Sequence, residues 1–226
     1  MDELKKEIKP DKTAMISIMF ANNEIGTIQP IQEIVELCKE NNIIFHSDAA
    51  QAIGKIPIDV QELGVDMLSI AGHKFYGPKG VGALYCKGSF RPKALILGAC
   101  QEVGLRSGTE NVHSIVGLGK AAEIAFEEFQ KNHHIDIKNM RDSFENKLLE
   151  LFPNSKVNGN IEHRLPMAIS LSIPDIRGFD LMLHLGNNVC FSAGAACSTG
   201  KGSATLSAIN LDPELAKGTI RISLGR

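Results

Sequence analysis

The chain has 226 residues, 43% hydrophobic and 22% charged, which is the composition of a folded globular protein. A formal net charge of −2, no Trp and only two Tyr argue against a broad basic surface or a platform of stacking aromatics, so nucleic acid is not expected as a partner. The five cysteines include no CxxC pair, which argues against a disulfide framework or a zinc cluster, and no apolar run approaches the ~20 residues of a membrane helix.

The first half of the chain alternates short apolar runs with helical patterns. Pro30, followed by apolar residues at helical spacing, predicts a helix after the first apolar run. This alternation predicts a largely parallel α/β sheet, and the nearly continuous apolar character predicts strands covered on both faces. The predicted strands are residues 14–21, 43–46, 65–71 and 80–86.

The second half begins with two amphipathic helices, at about 111–131 and 137–151, separated by a polar break at 131–134. The tail then predicts strands at 167–173, 189–193 and 219–224 and a helix at 178–186. Asp212 followed by Pro213 predicts a further helix start. The expected core stripes of the two long helices are Ile115, Leu118, Ala122, Ala125, Phe126 and Phe129 on the first, and Met140, Phe144, Leu148 and Leu151 on the second.

We therefore expect two domains. Residues 1–128 form part of a large α/β domain, and residues 129–226 form a smaller α+β domain at the carboxyl end. We see no internal repeat and no low-complexity segment in the sequence.

Polar side chains follow three of the predicted strands. Asn22 and Asn23 follow the first strand, Asp48 with Gln51 the second, and His73-Lys74 the third. Taken singly, each suits a turn, a cap or a solvated loop. Because ligands of open α/β sheets bind at the carboxyl ends of the strands, their joint position favours a binding site. An amine, an acid and an amide are the groups that pyridoxal phosphate needs for its Schiff base, its pyridine nitrogen and its ring hydroxyl.

Cys197 lies in a loop between Ala195-Ala196 and Ser198-Thr199, with glycines on both sides. A thiolate that must reach a substrate sulfur and then withdraw with it needs such a loop. A small buried residue is the alternative for any cysteine, and it suits Cys38, Cys86 and Cys190 better than Cys197.

Six ordered motifs give the chain a family resemblance: NNEIGTIQPI (22–31), HSDAAQAIGK (46–55), GHKFYGPKGVGALY (72–85), RSGTEN (106–111), GAACS (194–198) and IRISLGR (220–226). Over essentially its whole length the chain resembles the cysteine desulfurases of the NifS/IscS type, in the class-V aminotransferase family, with selenocysteine lyase a close relative. The resemblance implies a fold-type I, pyridoxal 5'-phosphate-dependent homodimer. Such an enzyme removes sulfur from L-cysteine as an enzyme persulfide and leaves L-alanine.

The resemblance also implies a role for each matching residue. Lys74 would form the Schiff base, and Cys197 would carry the persulfide. Asp48 would pair with the pyridinium nitrogen, Gln51 would bond the ring hydroxyl, and His73 would contact the phosphate. Asn23 and Arg221 would bind the substrate carboxylate, Asn23 also touching the cofactor, and Thr109 would reach the phosphate of the neighbouring subunit.

Some positions depart from the family pattern. Ala71 stands where many relatives have a phosphate-binding Ser, although selenocysteine lyases also tend to lack it. Cys100 replaces a common Gly, and the loop after Cys197 lacks a frequent Pro-Ser. Relatives are longer at both ends, so the resemblance implies a fragment without the phosphate loop and the ring-stacking His. We expect the chain alone to be inactive.

Other functions stay open. Selenocysteine lyase shares the same carboxylate and amine contacts, and a non-catalytic interaction module would suit a fragment. A P-loop does not fit, because five residues separate Gly194 from Gly200 and Gly202 follows Lys201. The adjacent His133 and His134 do not form a metal site. We expect a sulfur-acceptor protein such as an iron–sulfur scaffold as partner, no membrane contact, and a cytoplasmic location.

Overall fold

The computed structural model describes residues 1–88, 90–193 and 202–225. The chain divides into two compact units, the first formed by Met1–Phe20 with Pro30–Gln130 and the second by Ala21–Gln29 with Lys131–Arg226. The division at residue 128 into a cofactor domain and a cysteine-bearing domain stays a prediction.

The first unit is built around a four-stranded sheet of order β1-β2-β3-β4. The first three strands are parallel, as predicted, and β4 pairs with β3 in the antiparallel sense. Its helices and strands are α1 (Asp2–Glu7), β1 (Met15–Met19), α2 (Ile31–Glu40), β2 (Ile44–Asp48), α3 (Val60–Leu63), β3 (Met67–Ala71), β4 (Gly82–Cys86) and α4 (Val112–Gln130), with 3₁₀ helices at Gly72–Phe75 and Gln101–Gly104.

The predicted helix after Pro30 is confirmed. Pro30 precedes α2, whose inward face buries Ile31, Ile34, Val35 and Cys38. The expectation that all four strands are covered on both faces is wrong for the described residues, because β1 exposes Met15 and Met19, and Leu84 of β4 is half exposed.

The predicted stripe of α4 is partly wrong. Ala121 and Ala125 are buried against Phe75, with Leu118 beside them. Phe126 is 64% exposed, and Ala122 is exposed as well. The small side chains of Ala121 and Ala125 permit close packing on the 3₁₀ helix that begins at Gly72. They therefore form the buried face of α4, and the larger side chains next to them lie outside it.

The second unit contains a four-stranded antiparallel sheet of order β5-β6-β8-β7. The predictions for 167–173, 178–186 and 219–224 and for the Asp212 cap are confirmed, with Asp212 accepting hydrogen bonds from two backbone amides of its helix. Its elements are α5 (His133–Leu151), β5 (Lys156–Val157), β6 (Ala168–Ser172), α6 (Gly178–Leu185), β7 (Ser192–Ala193), α7 (Ala204–Ala208), α8 (Pro213–Lys217) and β8 (Thr219–Ser223).

Helix α5 turns a face to the core that differs from the predicted one. Its buried residues are Ile137, Arg141 and Glu145, whereas Met140 and Leu151 are exposed. The Arg141 guanidinium donates to the backbone carbonyl of Leu165. Polar side chains with partners therefore occupy positions that the apolar pattern assigned to solvent.

Two kinds of feature are absent from the part of the chain that the structure describes. No helix there is both long enough and apolar enough to cross a membrane. No group of three or more His, Cys, Asp and Glu side chains is placed to hold a metal ion.

Candidate functional site

Asp48 is the last residue of β2, at the carboxyl end of the parallel strands. Its backbone is held on both sides, because its carbonyl accepts from the Phe20 amide and the next amide, of Ala49, donates to Ser69. Its Oδ1 accepts from the Ala50 amide at 2.9 Å, which fixes the direction of an exposed carboxylate. The central strand thus presents one oriented negative charge at the sheet edge.

Gln51 follows in a tight double turn. The Ala49 carbonyl accepts from the amides of Ala52 and Ile53, and the Ala52 carbonyl accepts from the amides of Lys55 and Ile56. This winding brings side chains four residues apart together. Lys55 Nζ accordingly donates to Gln51 Oε1 at 3.3 Å.

His73 and Lys74 lie on the 3₁₀ helix that continues β3. Phe75, which is 3% exposed, anchors this helix in the core. Tyr76 ends it in the left-handed region with φ of 68°. His73 and Lys74 are both exposed. Since Asp48 pairs with Ser69 of the neighbouring strand, the two side chains follow β3 at the same edge as Asp48.

The charge at this edge acts on Lys55. Burial, and then the positive charge of Lys74, lower the pKa of Lys55 from 10.5 to about 8. The structure thus places an amide and two amines together after the ends of two adjacent strands, at the edge where Asp48 ends β2.

Asn23 belongs to the second unit, in the tight turn formed by residues 21–28. The buried Asn22 closes this turn, because its Oδ1 accepts from the amides of Glu24 and Ile25. Gly26 has φ of +72° there, and a Cβ on it would stand 2.6 Å from the Cβ of Ala168.

Arg221 lies in the middle of β8, between Ser170 of β6 and Ser192 of β7. Its Nη1 donates to the backbone carbonyl of Asn23 at 3.1 Å. The structure therefore brings together the two residues predicted to bind the substrate carboxylate.

A cavity of about 230 Å³ opens beside this contact. Glu24 also lines it, and the Glu24 carboxylate accepts from Ser203 Oγ at 2.5 Å and from Thr205 Oγ1 at 3.0 Å. The cavity therefore holds one positively charged side chain, Arg221, and one carboxylate, Glu24, whose oxygens are engaged by the two hydroxyl donors. The lining includes Asn23, Ser170, Ser192, Ala193, Ala204 and Thr219.

Thr109 lies in an exposed segment of the first unit, before α4. The segment is fixed by Ser107 Oγ, which donates to the Ala99 carbonyl at 2.7 Å, and by the Gly108 amide, which donates to Gln101 Oε1. Cys197 lies outside the described residues. Among the cysteines that are described, Cys38 is buried and Cys100 and Cys190 are exposed. The prediction that Cys190 is a buried strand residue is therefore wrong.

The sequence reasoning did not single out Lys55 or Glu24. Lys55 stands four residues after Gln51 within the quoted HSDAAQAIGK motif, and that spacing is the pattern that would have found it. Glu24 makes contacts with Ser203 and Thr205, about 180 residues further along the chain, which no local pattern predicts.

The class-V aminotransferase family profile matches residues 1–226, and the chain belongs to this family. It is 48% identical over 227 residues to a protein named cysteine desulfurase IscS from Dictyoglomus turgidum, covering 99% of this chain and 57% of that protein. It is 44% identical over 234 residues to a mitosomal cysteine desulfurase of Trachipleistophora hominis, covering all of this chain and 52% of that protein.

Solved structures give the same result. A NifS-like protein superimposes with a TM-score of 0.88 at 39% identity, over 99% of this chain and 58% of that one. A NifS-like protein from Rickettsia africae superimposes with a TM-score of 0.87 at 35% identity, over 99% of this chain and 59% of that one. The fold is that of these enzymes, fold-type I, as expected. The chain spans a little over half the length of the relatives that it matches.

Proposed function

We propose that this chain carries the cofactor and substrate residues of a pyridoxal 5'-phosphate-dependent cysteine desulfurase. The observation that carries the proposal is the convergence of Asp48, Gln51 and Lys74 at one sheet edge, in a chain 42–48% identical to proteins named cysteine desulfurase.

The side chains at the sheet edge suit this cofactor. A carboxylate such as Asp48 stabilises a protonated pyridine nitrogen, the Gln51 amide can donate to a ring oxygen, and an accessible amine such as Lys74 can hold the aldehyde covalently. When bound, the cofactor supplies an electron sink for negative charge at the substrate α-carbon. His73, exposed beside Lys74, is the proposed phosphate contact.

The substrate carboxylate is assigned to the cavity beside Arg221. Planar guanidinium binds carboxylate through two parallel hydrogen bonds, and the bond from Nη1 to the Asn23 carbonyl orients the group while leaving its other N–H donors for the substrate. The cavity, at about 230 Å³, suits a small amino acid such as L-cysteine.

The sulfur step is assigned to Cys197. Its thiol sulfur bonds to the substrate sulfur while the carbon–sulfur bond of L-cysteine breaks. L-Cysteine and the enzyme thiol thereby become L-alanine and an enzyme persulfide, with no external oxidant or reductant. Cys100, exposed in the first unit, is the second candidate for this role.

The proposal includes a homodimer, in which Thr109 reaches the partner's cofactor phosphate, and a sulfur-acceptor protein such as an iron–sulfur scaffold. The cytoplasm is the proposed compartment, since free thiols suit a reducing environment. The mitosomal relative makes an organelle the alternative to test by localisation of a tagged protein.

The test combines an absorption spectrum with product analysis. In a catalytically complete form, the protein mixed with pyridoxal 5'-phosphate should gain a visible band that L-cysteine changes, and L-alanine should form together with a persulfide on Cys197. Cys197→Ser should keep the band and lose the persulfide, whereas Cys190→Ser, a matched exposed position, should keep both. Absence of both the band and alanine would overturn the proposal. Survival of selenocysteine turnover alone in Cys197→Ser would favour selenocysteine lyase.

A further inference from the structure

The contact between Lys55 and Gln51 constrains which way the Gln51 amide faces. A lysine ammonium has only donors, so its partner at 3.3 Å must be the amide oxygen and not the NH₂ group. The amide nitrogen of Gln51 is then directed away from Lys55. Without Lys55, the two ends of the amide differ little in shape, and either orientation could be adopted.

The backbone fixes this pair in advance. Both residues lie on the double turn closed by the Ala49 and Ala52 carbonyls, and both alanines are fully buried. Gly54 lies between them with φ of +72°. A Cβ on Gly54 would stand 3.2 Å from the Cβ atoms of Phe75 and Ala125, so the turn is pressed against the helix that carries Lys74.

Lys55 is also held where a charge is costly. Burial and the neighbouring Lys74 lower its pKa to about 8. Gln51 Oε1 is the side-chain acceptor that the described structure gives to Lys55. A charged lysine in this position lowers the stability of the folded state, so its presence there suits a role in orienting Gln51.

We propose that Lys55 is a positioning residue that turns the oxygen of the Gln51 amide toward its own Nζ and leaves the amide NH₂ group to donate to the ring oxygen of the cofactor; this rests on the proposed function. With the amide reversed, Oε1 would face the ring oxygen, and two acceptors would repel each other. In this role Lys55 itself contacts neither substrate nor cofactor.

The readout is the pH midpoint of the visible band of the cofactor-loaded protein. In the cofactor-loaded protein, a hydrogen bond donated by Gln51 to the ring oxygen would stabilise this oxygen as an anion. The oxygen would then hold less strongly the proton of the nitrogen bound to Lys74. Loss of the donor in Lys55→Met should therefore raise the midpoint, by about one pH unit. Lys55→Arg keeps a donor to Gln51, so its midpoint should equal that of the unsubstituted protein. Lys12→Met, an exposed lysine at the opposite, amino end of β1, should leave it unchanged.

Removal of the Lys55 charge would also raise the midpoint, so the design needs a double-mutant cycle. Gln51→Leu alone should raise the midpoint, and adding Lys55→Met to it should change nothing more. An equal shift from Lys55→Met in both backgrounds would mean that Lys55 acts through its charge alone and would overturn the positioning role. So would an unchanged midpoint in Lys55→Met. Lys55→Ala replaces Lys55→Met throughout the cycle if the latter does not fold.

Failure of the proposed function gives a different result. If the unsubstituted protein shows no visible band with cofactor in excess, the proposed function is overturned, and the role of Lys55 with it. If the band is present and the cycle is additive, only the role of Lys55 is overturned.

Discussion

Arg221 Nη1 donates to the backbone carbonyl of Asn23 at 3.1 Å, linking an inner strand of the second sheet to a turn 198 residues earlier in the chain. The bond uses one N–H group of the guanidinium and restricts the orientation of the group. Because Asn22 locks the turn from the other side, the arginine reaches the cavity in a preorganised state.

We therefore expect Arg221→Lys to weaken substrate binding without affecting the cofactor. A lysine offers a point charge in place of a planar fork, so kcat/KM for L-cysteine should fall about 10- to 100-fold while the visible band is unchanged. The measurement is steady-state alanine formation by a catalytically complete form of the protein. Arg177→Lys, at an exposed arginine of the same unit, is the control. An unchanged kcat/KM would show that the carboxylate binds elsewhere.

The proposed covalent attachment of the cofactor to Lys74 can be mapped directly. Borohydride reduction followed by peptide mass mapping should place the pyridoxyl label on Lys74, because this amine is exposed at the edge that holds Asp48. Lys55 is the main alternative site for the label, since its pKa of about 8 gives it a larger neutral fraction than an ordinary lysine at neutral pH. A label on Lys55 or Lys79 would show that the assignment of Lys74 is wrong.

Glu24 offers a test of how the second unit is held together. Its carboxylate accepts from the hydroxyls of Ser203 and Thr205, and Ser203 also caps α7. Glu24→Ala leaves both hydroxyls without this acceptor, and we expect a loss of about 1–3 kcal/mol in the free energy of unfolding, measured with urea. Glu40→Ala, at an exposed helix end, should change it by less than about 0.5 kcal/mol. Equal effects of the two substitutions would contradict this role.

Gly54 allows backbone strain to be separated from crowding. Gly54→Ala imposes a left-handed φ on alanine and also brings its Cβ within 3.2 Å of Phe75 and Ala125. Gly80 has φ of +79°, and a Cβ on it would meet no atom within 4 Å, so Gly80→Ala carries the strain alone, about 1–2 kcal/mol. Urea unfolding should show a clearly larger loss for Gly54→Ala. Similar losses would mean that the turn can shift away from its neighbours.

Much of the fold could be predicted from local patterns. The apolar runs that became β1, β2, β3 and β8 and the Asp212–Pro213 helix start depend on neighbours in sequence, and these were found. The inward face of α5 was not, because Arg141 and Glu145 are buried. Glu145 is paired with Arg164 through two hydrogen bonds, and that partner is 19 residues away. Apolar periodicity carries no information on such pairs.

Part of the candidate site could likewise be predicted from the sequence, and part of it could not. Asp48, His73 and Lys74 could be located as polar residues after strand ends, since topology alone brings strand ends to one edge. The contact of Arg221 with Asn23 needed tertiary structure, although the family motifs named both residues. Lys55 was missed because its importance depends on a turn whose winding brings it back to Gln51.

The pH dependence of stability gives the sharpest test of the environment of Lys55. Its pKa is lowered in the folded state, from 10.5 to about 8, so between these values the unfolded chain binds more protons than the folded one. The contribution of Lys55 to the free energy of unfolding must therefore rise with pH across this window, by at most about 3 kcal/mol. Below and above the window this contribution does not change with pH. Urea unfolding of the unsubstituted protein and of Lys55→Met should give a stability difference that changes with pH only in this window. The same comparison with Lys12→Met should give a flat difference. A flat difference for Lys55→Met as well would show that Lys55 is neither desolvated nor repelled by Lys74.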